Sequence, residues 1–166
     1  MASPDRYAPS QIILHWIIAA LVALQLLFHD GMEDAFDDLV DGDGVRSDEL
    51  AGAWLHAGIG LTILALALVR LAIRLKRGAP PPHRDKPAPL IWIATATHVA
   101  LYGFILIMPL VGAIAWFGLI EDAGELHATA AALLIPLILL HIAGALAEHF
   151  VFRNNTLKRM LTLLGK

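Results

Sequence analysis

His127 and His141 stand fourteen residues apart within one apolar run, LHATAAALLIPLILLHIAGALAEH. On a helix this spacing is just under four turns. It points both imidazoles to nearly the same face, about 40° apart and about 21 Å apart along the axis. Such a pair offers two sites at two depths of a membrane. Ionisable side chains are costly inside a bilayer, and where they occur they usually face the protein interior and carry function. Imidazole is also a common metal ligand. The candidate partners are His15 in ILHW, His56 in AWLHAGIG and His98 in the run that follows the second basic segment.

The elements that must position these residues follow from composition. The chain has 166 residues, 58% of them hydrophobic, and its mean hydropathy is +0.68. That is too apolar for an ordinary soluble domain and reads as a membrane protein. Cysteine is absent, which excludes disulfides, thiolate metal sites and the covalent attachment of a c-type haem, so metal chemistry falls to His or carboxylate.

Four spans are expected, at about 12–29, 50–75, 92–118 and 126–150, in an all-α, integral-membrane, up-down four-helix bundle forming a single membrane domain over 1–166. The apolar run from Ile12 to Phe28 follows no basic cluster and precedes no small-residue cleavage site, so it is expected to stay in place as a span. From about Asp30 to Glu49 the chain is strongly acidic and contains glycine, and it reads as a solvated loop. The stretch GAPPPHRDKPAP reads as a connector because clustered prolines break a helix. Ala88–Ile120 carries no charge over 33 positions. That exceeds one crossing, so its first part is expected at the interface, with Pro109 as a possible kink. A short acidic turn, the last span and a basic, weakly amphipathic tail complete the chain.

Of 12 Lys and Arg, 11 fall on one side of this arrangement, and 12 of 15 Asp and Glu fall on the other. By the positive-inside rule both termini are cytoplasmic. Depth then matches His15 with His141 near the cytoplasm and His56 with His127 near the outer side, each pair able to close on one metal from two helices. His98 competes with His15 as the partner of His141; a place near a quinone is the other role expected of it. Arg70 and Arg74 lie 14 and 18 residues beyond His56, on or near its helical face. They suit haem propionates or a quinone head group, and equally the snorkelling of arginines at a membrane edge. Trp16, Trp54, Trp92 and Trp116 read as interfacial belt residues. His29, His83 and His149 are assigned no role.

Gly52, Ala53, Gly60, Ala130, Ala131, Gly144 and Ala145 lie about one turn from the histidines. Small residues there would let a flat ligand lie against the helices, although they also serve ordinary membrane helix packing. Haem b is the natural candidate, since it takes axial imidazoles and needs no cysteine. A bare di-metal carboxylate site is disfavoured because no Asp or Glu lies within the four cores.

The motifs ILHW, WLHAG, VRLAIRLK, HVALYGFILIMPLVG and LHATAAALLIPLILLHIAGALAEHF followed by RNNTLKRM together resemble the bacterial cytochrome b561 family over nearly the whole chain. The resemblance implies a four-helix cytochrome with two haem b groups. His15 and His141 would hold the iron near the cytoplasm, and His56 and His127 the iron near the periplasm, in the bacterial inner membrane. It also implies electron transfer with a membrane quinone. Some similar proteins oxidise superoxide and reduce ubiquinone, which would make this chain an oxidoreductase. Others conduct electrons for a docked redox protein. The outer segments carry 12 acids and one Arg, which would suit a basic periplasmic electron carrier and disfavour capture of a superoxide anion. A His-lined metal transporter is the non-redox alternative. Membrane lipid is an expected partner and nucleic acid is not.

Overall fold

The structure, a computed structural model, describes residues 6–81 and 86–163. His83, Arg84 and Lys166, which entered the sequence reading, lie outside the described residues. The described chain is helical: α1 Pro9–Leu27, α2 Asp30–Asp41, α3 Ser47–Arg77, α4 Ala88–Gly118, α5 Glu121–Phe150 and α6 Thr156–Leu161. Of these, α1, α3, α4 and α5 are long and apolar enough to cross a membrane. At 1.5 Å per residue the 31 residues of α3 and of α4 extend about 46 Å, well beyond a hydrocarbon core of about 30 Å, so their ends reach into the polar layers. Many large apolar side chains lie on the outside, among them Leu75, Trp92, Val99 and Leu139. In lipid such a surface carries no penalty.

Cross-links between helices fix their directions. Near the start of α1, Gln11 Nε2 donates to the Gly78 carbonyl at the end of α3 at 3.0 Å. Near the end of α1, Gln25 Nε2 donates to the His56 carbonyl in the early part of α3 at 3.0 Å. The helices α1 and α3 are therefore antiparallel. Arg70 with Tyr102 and Trp54 with Trp116 make the same statement for α3 and α4. His98 with His141 and Gly112 with His127 make it for α4 and α5. Close packing runs from α1 to α3, α3 to α4 and α4 to α5. Neither α1 nor α3 is packed closely on α5, and histidine rings reach across those two spaces.

The acidic stretch after α1 differs from the expected solvated loop: it forms α2. Met32, Ala35, Phe36, Leu39 and Val40 recur at helical spacing and pack on Ala53 of α3, on Ala115 and Trp116 of α4 and on Ala123 of α5. Glu33, Asp34, Asp37 and Asp41 take the opposite, exposed face. Its acids accompany an apolar stripe, and burial of that stripe outweighs solvation of the segment. Gly42 ends it in the left-handed region, φ 77°. The helix α4 begins at Ala88 and runs unbroken to Gly118, so the first part of the uncharged stretch is continuous with the span. Pro109 is accommodated inside that helix, and Pro136 inside α5. Each proline deprives one carbonyl, of Ile105 and of Ala132 respectively, of its helical partner.

Candidate metal centres

Two histidine pairs occupy opposite ends of the bundle. At the acidic end, His56 of α3 faces His127 of α5 with ring centroids 6.0 Å apart and planes at 73°. At the basic end, His15 of α1 faces His141 of α5 at 6.1 Å and 67°. All four rings are half-buried. With metal–nitrogen bonds of about 2.0–2.1 Å and each nitrogen about 1 Å from its ring centre, imidazoles on opposite sides of one metal have centroids roughly 6 Å apart. Both separations fit that arrangement.

Each pair brings two imidazoles from two different helices together, and could supply two ligands to one metal. Among the described residues, no group of three or more His, Cys, Asp or Glu is placed to hold a metal ion. The remaining coordination positions must then come from the bound group itself, as the four nitrogens of a porphyrin provide them. The looser approach of α5 to α1 and α3 leaves the flanks of each pair free of close backbone packing.

The acidic-end pair has a defined hydrogen-bonding frame. His127 Nδ1 lies 3.1 Å from the Met108 carbonyl. A carbonyl only accepts, so Nδ1 carries the proton and Nε2 keeps its lone pair. His56 Nδ1 is buried and has no hydrogen-bond partner among the described residues.

The basic end holds a third histidine. The His98 ring lies 5.1 Å from that of His141, edge to face at 88°. Its Nδ1–H donates to the Ala94 carbonyl at 2.6 Å. This separation is about 1 Å shorter than opposed ligation requires. Nearby, Tyr7, Gln11, Arg70, Arg74 and Tyr102 line a shallow cleft. Arg70 Nη1 donates to the Tyr102 hydroxyl at 2.5 Å, and the guanidinium lies 5.3 Å from the Tyr102 ring centre. Arg70 Nε is buried and has no acceptor among the described residues. The only hydrogen-bond partner of this cation among the described residues is a neutral phenol, which leaves donors for an anion or a carbonyl oxygen.

Three contacts escaped the sequence reading. Glu148, at the end of α5, accepts from Lys86 Nζ, Asn154 Nδ2 and Thr156 Oγ1. It ties the connector to the start of α6. Its isolation among basic residues was the available signal. Trp16 Nε1 donates to the Met160 carbonyl at 2.7 Å, joining α1 to α6. Gly112 lies directly against the His127 ring; nothing in a single sequence marks which glycine of an apolar helix meets a neighbour.

The prokaryotic cytochrome b561 family matches residues 6–163. A cytochrome b562 of Cereibacter sphaeroides is 34% identical over 97% of this chain and 98% of its own length. A probable superoxide oxidase CybB of Yersinia pestis is 29% identical over 94% of this chain and 96% of its own. A cytochrome b561 homolog 2 of Escherichia coli is 25% identical over 96% and 93%. With four apolar helices, paired histidines and a family match over nearly its whole length, the chain belongs to the prokaryotic cytochrome b561 family: it is a multi-pass bacterial membrane protein, a b-type cytochrome of electron transfer that binds haem b.

Proposed function

We propose that this cytochrome holds two haem b groups and carries electrons between the periplasmic side and a membrane quinone. The observation that supports it most directly is the pair of matched His–His separations, 6.0 and 6.1 Å, at two levels of one bundle. On this reading His56 and His127 hold the outer haem, His15 and His141 the inner one, and both termini are cytoplasmic. Haem b supplies reversible one-electron chemistry when bound. The chain holds each ring in place through its helices, and its apolar outer surface keeps the interior away from water.

Arg70, Arg74 and Tyr102 then form the polar contact on the cytoplasmic half. Arg70 presents a buried Nε–H with no acceptor among the described residues, suited to a haem propionate or to the carbonyl oxygen of a quinone such as ubiquinone. His98, exposed and fixed by Ala94 with its Nε2 unengaged by that bond, fits a place beside the quinone better than a place on the iron.

A second reading concerns the outer partner. One relative is named a probable superoxide oxidase, and superoxide oxidation coupled to ubiquinone reduction is the enzymatic form of this proposal. The exposed acids of α2 favour the other form, docking of a basic periplasmic electron carrier. Haem content by pyridine haemochrome, followed by reduction of the purified protein with quinol, superoxide and a basic cytochrome in turn, tests the proposal. Two haems per chain and exchange with quinol are the expected result. One haem or none, or no exchange with quinol, contradicts it.

A further inference from the structure

His127 rests directly on the backbone of α4. A methyl group built on Gly112 would stand 2.9 Å from both Cε1 and Nδ1 of the His127 ring and 3.6 Å from Nε2. No side chain fits at that distance while the ring stays where it is. One helical turn before Gly112, the Met108 carbonyl receives the Nδ1 proton at 3.1 Å. In an α-helix that carbonyl is also the acceptor of the Gly112 N–H. Glycine at 112 therefore lets the imidazole come down onto the α4 backbone and reach an oxygen that a larger residue would shield. Gly103, on the same helix, has nothing within 4 Å of such a methyl group, and the same is true of Gly144 beside His141. Among the described residues, neither the His15 nor the His141 ring makes a hydrogen bond.

We propose that Gly112 and the Met108 carbonyl form a seat for His127 that fixes its tautomer and ring orientation, lowering the reduction potential of the outer haem. The proposal rests on the reading that His56 and His127 hold that haem. A ligand imidazole that donates its second N–H to a carbonyl becomes a stronger donor to the metal and is held in one orientation. Stronger donation favours the ferric state. Gly112 is a positioning residue: it acts through His127.

The experiment compares wild type, Gly112→Ala and Gly103→Ala by haem content, potentiometric titration of the reduced visible band and low-temperature EPR of the ferric state. Gly112→Ala is expected to raise the midpoint potential of one component and change its EPR signal, or to weaken haem retention at that site about ten- to hundred-fold, the range usual for groups behind a metal ligand. The other component and the Gly103→Ala protein should match wild type. Unchanged potentials and spectra in Gly112→Ala overturn the proposal. A second arm covers a Gly112→Ala chain that fails to accumulate. His127→Gly protein is supplied with imidazole or with 1-methylimidazole, which can ligate iron but cannot donate to Met108. A higher midpoint with 1-methylimidazole supports the seat, and equal midpoints overturn it. Failure of the underlying reading looks different: wild type would hold fewer than two haems, or His127→Gly would keep both without added ligand.

Discussion

His98 lies nearer to His141 than His15 does, 5.1 against 6.1 Å, yet the shorter distance argues against its being the opposed ligand. Rings on opposite sides of a metal must stand apart by two bond lengths and two ring radii, roughly 6 Å between centroids, and 5.1 Å falls short of that. On this account His15→Ala and His141→Ala each lose one of two haems, His56→Ala and His127→Ala lose the other, and His98→Ala keeps both. Haem content with the reduced spectrum of each variant reads this directly. If His98→Ala loses a haem and His15→Ala does not, the inner pair is wrongly assigned. Arg70 belongs to the same scale. Replacing it with Leu removes charge-assisted hydrogen bonds of about 1.5–3 kcal/mol, so quinol-linked reduction should slow by about ten- to hundred-fold while both haems stay bound. An unchanged rate would leave Arg70 no part in the quinone site. The histidine types and their helical register were legible from spacing alone, because 3.6 residues per turn converts sequence separation into depth and direction. The approach of Gly112 to His127 was not, since it depends on the rotation of α4 relative to α5.

At the scale of elements, α2 and α6 close the two ends of the bundle by different means. Phe36, 9% exposed, seats α2 among Ala53, Ala115 and Trp116, and its Cε1 would lie 2.8 Å from a methyl group on Gly124. Phe36→Ala should cost about 3–5 kcal/mol of packing and free α2 for proteolysis from the outer face, with the transmembrane helices intact. Retained protection would show that α2 is held elsewhere. At the other end, Glu148 gathers Lys86, Asn154 and Thr156 with its side chain 11% exposed. Glu148→Ala leaves Lys86, 14% exposed, without its counter-ion. Losing these charge-assisted hydrogen bonds costs about 1.5–3 kcal/mol, expected as faster amide exchange across α6; unchanged exchange would assign α6 docking to the Trp16 bond instead. The sequence concealed α2 because its acidity resembles a solvated loop, although Met32, Ala35, Phe36, Leu39 and Val40 already carried the helical stripe. It concealed the Glu148 cluster because its partners come from three separate segments.

Across the whole molecule, charge is divided by segment: 12 acids and a single Arg fall in the two connecting segments 30–49 and 121–125, and 11 of 12 basic residues fall elsewhere. The lone cation of those two segments, Arg46, is held above its ordinary pKa by Asp48, which bonds it at 2.6 Å, and is paired again with Glu49 at 3.1 Å. It offers little free positive charge to an incoming anion. Encounter with superoxide is therefore expected to be slow and to rise or stay flat as salt is added, whereas encounter with a basic cytochrome should slow. Stopped-flow rates against ionic strength separate the two; a near-diffusion-limited superoxide rate that falls with salt would overturn the charge argument. The division of charge and the four long apolar segments were legible in the sequence because the bilayer imposes length and polarity directly. The space between α5 and its partners α1 and α3 was not, because it depends on the packing of whole helices. Pyridine haemochrome quantification against protein concentration, in wild type and in His56→Ala and His141→Ala, shows whether the two facing histidine pairs each hold one haem. Two haems per chain are expected in wild type and one in each variant, with a different spectral component missing from each; one haem in wild type, or the same component missing from both, would rule out one haem per pair.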